Sequence, residues 1–180
     1  MENDLYETQE DTLDLILPFL SKFKNFKILE PCSGNCAIVN YLKKNNFKNI
    51  DYSDLNYGEN KVDFLTMNDF SQYDLIITNP PFKNKNLFLK KLYESGLPFF
   101  SLFPIEILCQ DVYSLIQKNG IHVYFLPNKP KFMHNGVLKH YTHHCCWLFY
   151  DGEPSSKMSF SYLPKLKIKK VFIEKEEFNV

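Results

Sequence analysis

Short apolar runs that alternate with amphipathic stretches over residues 1–150 predict an α/β domain, a mostly parallel seven-stranded sheet with helices on both faces. Three observations carry this expectation. The apolar runs are short and bounded by turn residues. Stretches of helical period fall between them. The run Tyr73-Asp74-Leu75-Ile76-Ile77-Thr78 then stops at Asn79-Pro80-Pro81-Phe82. Two consecutive prolines lack N–H donors and fix φ, so a strand must end there.

The elements follow in order. Leu13 to Lys22 carries Leu13, Ile16, Leu17 and Leu20 at helical spacing, with Pro18 as an irregularity. Lys27-Ile28-Leu29-Glu30 is a strand, followed by a turn at Pro31-Cys32-Ser33-Gly34. A helix runs from Asn35 to Lys44, with Ile38, Val39 and Leu42 on one face. Asn49 to Ser53 is the second strand, Asp63-Phe64 ends a short third one, and Asp74 to Thr78 is the fourth. Leu87 to Tyr93 reads as a helix and Pro98 to Phe103 as a buried strand. Ile105 to Lys118 is amphipathic and stops at Asn119-Gly120, a favourable helix C-terminus. Ile121 to Leu126 and Cys145 to Tyr150 are strands joined by a polar loop rich in Lys and His. Residues 1–153 form one domain, with 1–26 as its lead-in segment and helix. Residues 154–180 form a lysine-rich tail, either an edge strand shielded by Lys165, Lys167, Lys169 and Lys170, or a flexible basic strip for a polynucleotide.

Composition narrows the function. Of 180 residues, 44% are apolar, with 17 Phe and 11 Tyr, enough for a folded core. No apolar run approaches the ~20 residues of a membrane span. Met1-Glu2-Asn3-Asp4 lacks the basic and apolar regions of an export signal, so a cytoplasmic protein is expected. The five cysteines show no disulfide framework. His143-His144-Cys145-Cys146 resembles a metal cluster, but strand neighbours point to opposite faces, and no metal is expected. Net charge is zero and every basic residue is lysine. Any nucleic-acid contact must therefore rest on point charges and stacking rather than on the arginine fork.

The chemistry-bearing residues all fall at strand carboxyl ends, the edge where open α/β sheets bind ligands. Asn79 presents an amide and Phe82 a flat apolar face, an arrangement suited to a planar group bearing NH₂. Glu30-Pro31-Cys32-Ser33-Gly34-Asn35-Cys36 is a turn with one glycine and a leading carboxylate, with neither the dinucleotide fingerprint nor a phosphate loop. It fits a cofactor bearing an ammonium group. Asp54 ends the second strand, where a carboxylate bonds ribose hydroxyls. At Asp63-Phe64 a carboxylate can accept from an adenine amine and an aromatic can stack on it.

In this order the residues resemble the class I S-adenosylmethionine-dependent methyltransferases, the Rossmann-like amino-methyltransferases with an Asp/Asn-Pro-Pro-Tyr/Phe motif. Over residues 5–150 the chain is most similar to the compact adenine methyltransferases of bacteria, phages and large viruses. The resemblance implies S-adenosylmethionine as cofactor and Asn79, Pro80, Pro81 and Phe82 as the catalytic motif. Glu30, Pro31, Ser33 and Gly34 correspond to the methionine-binding loop. Asp54 corresponds to the ribose acid, Leu55 beside it is a further cofactor-binding residue, and Asp63 and Phe64 correspond to the adenine-contacting pair. Tyr6-Glu7-Thr8 resembles a Tyr-Glu-Thr-Pro motif that helps bind the cofactor carboxylate. The chain departs from the pattern at Cys36, where the family has Gly, and at Gln9, where it has Pro. The implied reaction is methylation of the exocyclic amine of adenine in DNA. RNA, a protein glutamine, or a catalytically silent subunit whose partner supplies target recognition are the alternatives.

Overall fold

The computed structural model describes residues 6–109, 111–134, 136–155 and 157–164. Its strands are β1 (Glu7–Thr8), β2 (Ile28–Glu30), β3 (Ile50–Tyr52), β4 (Leu75–Thr78), β5 (Phe99–Pro104), β6 (Ile121–Phe125), β7 (Lys131–His134), β8 (Val137–His140), β9 (Cys145–Tyr150) and β10 (Met158–Tyr162). Its α-helices are α1 (Glu10–Asp14), α2 (Leu17–Leu20), α3 (Ala37–Lys44), α4 (Lys85–Glu94) and α5 (Tyr113–Asn119).

Seven strands form one sheet in the order β10-β6-β9-β5-β4-β2-β3. All neighbours are parallel except β9, which runs antiparallel to both β5 and β6. Strand alternation divides the apolar side chains between two cores. Ile28, Leu75, Ile77, Phe100 and Trp147 face α1, α2 and α3. Leu29, Ile76, Phe99, Phe103 and Leu148 face α4 and α5. Because both faces are covered, the central strands read as continuous apolar runs. Cys145 enters the first core and Cys146 the second, so the two thiols lie on opposite faces of the sheet.

The expected third strand at Asp63-Phe64 does not form. The chain makes one isolated bridge, Asp54 to Lys61, and then a 3₁₀ turn over Phe64–Thr66 that Asp63 caps through Leu65 N–H at 2.9 Å. The seventh strand is instead β10, parallel to β6 at the opposite edge. The alternating lysines from Lys165 onward lie outside the described residues. The helix expected over Leu13 to Lys22 breaks into α1 and α2, with Pro18 in the first turn of α2, where its missing N–H has no helical partner to lose. The stretch Ile105 to Lys118 likewise divides, into a 3₁₀ segment and α5. The loop before β9 holds a hairpin, β7–β8, which pairs with β1 into a second, three-stranded sheet. No helix among the described residues is long and apolar enough to cross a membrane.

Gly120 links α5 to β6 at φ +75°, and a Cβ there would overlap the backbone oxygens of Ser155 and Lys157. Gly120→Ala should therefore cost about 3 kcal/mol, a fall in Tm of roughly 10 °C by calorimetry. An unchanged Tm would show that the lead-in to β10 is not held there.

Candidate functional site

Glu30 ends β2 between β3 and β4, and its side chain is 0% exposed. Its Oε1 accepts from Thr78 Oγ1 at 2.7 Å and from Cys32 N–H at 3.0 Å. Its Oε2 is buried and has no partner. Burial pushes this carboxyl up to about 8; the Thr78 and Cys32 bonds oppose the shift and nearby Asp54 adds to it. Burial, with Glu30 beside it, also lifts the Cys32 thiol well above its ordinary value, so it is no nucleophile at neutral pH.

The turn after β2 is held by its neighbour strand. Ser33 N–H donates to the Ser53 carbonyl at 3.0 Å, and Gly34 N–H to Asp54 Oδ2 at 2.9 Å. Asp54 Oδ1 accepts from the N–H groups of Asn56 and Tyr57. Three of the four acceptor directions of the Asp54 carboxylate are thus filled, and one remains on Oδ2. Pro31 is buried behind the turn. Gly34 and Cys36 both adopt left-handed backbone, at φ 49° and 64°. That conformation explains why glycine suits position 36, and Cys36 holds it at a cost of order 1–2 kcal/mol.

Asn79 follows β4. Its Nδ2 donates to the Tyr6 carbonyl at 3.2 Å and to Thr8 Oγ1 at 3.0 Å. A carbonyl can only accept, so Tyr6 fixes which end of the amide is nitrogen. Asn79 Oδ1 is left buried and without a partner. Ser53 Oγ, just past β3, is likewise buried and unpaired. Glu30 Oε2, Ser53 Oγ and Asn79 Oδ1 thus lie at the carboxyl ends of three neighbouring strands. Buried polar atoms cost free energy unless something bonds them, so this cluster marks a place for a polar ligand.

Beside Asn79 lies a cluster of rings. Phe82 meets Tyr141 edge-on at 5.3 Å and Phe132 at 6.1 Å. Tyr6 stacks on His134 at 4.9 Å and meets Phe132 edge-on at 5.7 Å. His143 Nδ1 and Glu106 Oε1 lie within hydrogen-bond distance, 2.7 Å, at the rim. Sequence reading missed Ser53, Phe132 and Tyr141. The hairpin alternation of Phe132 with His134, opposite Val137 and Lys139, was the available signal.

The structure brings Tyr6, Thr8, Glu30, Ser33, Gly34, Asp54, Asn79, Pro80, Pro81 and Phe82 to one edge of the molecule. Thr8 and Tyr6 bond Asn79, and Glu7 reaches the turn instead, by accepting from Asn35 Nδ2. Leu55 is 56% exposed beside Asp54. Phe64 is 2% exposed and stacked on Phe88, so it is a core residue. The expectation that it stacks on an adenine is corrected for a plain reason. Without a third strand to carry it to the sheet edge, the ring turns inward. Two clefts, about 370 and 300 Å³, open elsewhere. One lies before the amino ends of β4 and β5, beside Tyr73 and Leu97, and the other around His122 and Ser159.

No protein-family model matches the sequence, and no curated protein matches it. Solved structures do match the fold. A protein assigned as an RNA methyltransferase from Pyrococcus horikoshii aligns at TM-score 0.56 and 14% identity, over 80% of this chain and 84% of its own. A modification subunit assigned to a type I restriction enzyme from Vibrio vulnificus aligns at TM-score 0.60 and 13% identity, over 92% of this chain and 48% of its own. This chain therefore spans about half of that subunit. A SAM-dependent O-methyltransferase from Thermotoga maritima aligns at TM-score 0.51 and 11% identity, over 79% of this chain and 64% of its own. The chain has the Rossmann-like fold of these methyltransferases.

The Glu30 carboxyl sits above its ordinary range, so the native state holds a proton there that the unfolded chain releases. The associated stability is fully present below about pH 4.5 and is lost as pH rises through about 8. Chemical denaturation should show stability falling across that window, by up to ~1.4 kcal/mol per pH unit, with Glu30→Gln flattening the fall. An identical slope in the variant would remove the buried-carboxyl account.

Proposed function

We propose that this chain is an S-adenosylmethionine-dependent N-methyltransferase acting on the exocyclic amine of adenine in DNA. The observation that carries the proposal is Asn79, whose amide nitrogen is committed to Tyr6 and Thr8 while its buried oxygen has no partner. An acceptor aimed from a strand end beside an aromatic cluster is what an aryl-NH₂ group needs.

The residues at the edge fit the cofactor. Glu30 Oε2 suits an ammonium group, and the remaining Asp54 lone pair and Ser53 Oγ suit ribose hydroxyls. When bound, S-adenosylmethionine supplies an electrophilic methyl group. Asn79 Oδ1 and the Pro80 carbonyl accept the two N–H groups of the amine, which favours a pyramidal nitrogen with an available lone pair. The same acceptors stabilise the positive charge that develops on it. Phe82 offers a stacking face that orients the base. The proton then passes to water, and no strong base is required. In duplex DNA the base must first leave the stack, at a cost of a few kcal/mol.

A second reading is favoured by Cys36, which places a side chain at a left-handed position of the cofactor turn. It describes a cofactor-binding subunit whose partner supplies target recognition. The Vibrio vulnificus neighbour is described as a modification subunit.

Purified protein with labelled methyl donor should methylate adenine-containing DNA; RNA and glutamine peptides are the competing acceptors in the same assay. Asn79→Ala should lose at least ~100-fold in kcat while cofactor affinity stays within about twofold. Full activity in that variant would sink the mechanism. Thr8→Val, which frees the amide to rotate, should lower kcat about tenfold at constant KM, with Thr8→Ser restoring it. A KM effect alone would assign Thr8 to binding instead.

A further inference from the structure

We propose that the site-facing side of the β1–β7–β8 sheet is a platform for a single nucleic-acid strand, with Lys139 contacting its backbone and the row of Tyr6, His134 and Val137 its bases. The proposal rests on the reading of the site given above.

Register fixes which side chains share a face. Thr8 lies opposite Phe132, which lies opposite Lys139. In the next row Tyr6 stacks on His134, which pairs with Val137. Strand side chains alternate, so these six residues lie on one face of the sheet. Thr8 bonds Asn79 and Phe132 meets Phe82, so that face looks into the site. Glu7, Lys131, Met133, Leu138 and His140 fall on the other face.

The face does not stop at the aromatic cluster. Every residue of β8 is exposed, and Val137 is 57% exposed although it is apolar and lies on the site side. A base leaving the cluster would therefore pass along Tyr6, His134 and Val137 before reaching bulk water. Stacking on such rows tolerates any base, because every base has a π-face. An acceptor as deeply set as Asn79 Oδ1 is also reached only by a base already outside a duplex.

Charge favours a polyanion. Residues 127–144 hold Lys129, Lys131, Lys139 and four histidines, with no Asp or Glu. The sole acid of the three strands, Glu7, is on the opposite face and accepts from Asn35. Lys129 donates to the Thr142 carbonyl at 2.8 Å, which ties its ammonium group to the base of the hairpin. Lys139 is the lysine of the three that lies exposed on the site-facing side. The chain as a whole has zero formal charge, so attraction to a polyanion must come from a local face of this kind.

The hairpin supplies its own control, since Lys131 and Lys139 have the same charge on opposite faces. Fluorescence anisotropy of a labelled, adenine-containing DNA strand of about 20 nucleotides, titrated with the full chain without cofactor between roughly 50 and 200 mM KCl, tests the proposal. Lys139→Gln should weaken binding about fivefold and reduce the slope of log affinity against log salt by about 0.7, while Lys131→Gln leaves both unchanged. Val137→Asp should weaken binding further. Equal losses at Lys131 and Lys139, or no binding by the unaltered protein, would overturn the platform. Lys139 is exposed, so its loss leaves the fold intact, and circular dichroism confirms this for each variant. Face-selective binding without any methyl transfer would retain the platform and remove the enzymatic reading. Methyl transfer with no difference between the two variants would do the reverse.

Discussion

The contact on which the site depends is the clamp between the lead-in segment and the end of β4. Two hydrogen bonds, from Asn79 Nδ2 to the Tyr6 carbonyl and to Thr8 Oγ1, span more than seventy residues of sequence. They exist because β1 is drawn over the sheet edge by its antiparallel pairing with β7. That pairing also carries Phe132 into the core and sets Tyr6 against His134. The hairpin, the aromatic cluster and the orientation of one amide are therefore a single arrangement. Loss of the pairing would free the Asn79 amide to flip and bury its nitrogen where an acceptor is needed.

Glu30 holds the complementary position on β2. A carboxyl fully enclosed by neighbouring strands is costly to ionise, and two hydrogen bonds to the same oxygen only partly offset that cost. The other oxygen has no bond at all. Such a group is a poor structural element and a good receptor for a cation that arrives from solvent, because pairing would relieve the desolvation penalty. Asp54 differs. It is largely satisfied by backbone N–H groups and does mechanical work by tying the turn after β2 to the end of β3. The left-handed Cys36 in the same turn is a place where backbone strain is tolerated next to the candidate ligand site.

Much of this was legible in the sequence. The runs Leu75–Ile77 and Phe99–Phe103 announced central strands because both of their faces are buried. The prolines after Asn79 announced a strand end. What escaped reading was non-local. Nothing near Asn79 in sequence indicates Thr8, and only the β1–β7 register brings them together. The hairpin is hidden because Phe132 is the one buried residue of β7 and β8, among lysines and histidines. Phe64 reads as a surface aromatic only if a third strand carries it outward, and that strand does not form. β10 reads as part of a tail because its alternation of Ser with exposed Met158, Phe160 and Tyr162 lacks a core-facing signature.

The measurement that bears most directly on the account is titration calorimetry of S-adenosylhomocysteine into the protein near pH 6.5, in two buffers of different ionisation enthalpy. The account predicts micromolar binding with release of about one proton, because an arriving ammonium group draws Glu30 into its charged form. It predicts that Glu30→Gln abolishes the buffer dependence. Absence of binding, or binding with no proton release from the unaltered protein, would contradict the claim that Glu30 and the turn after β2 form a cofactor site.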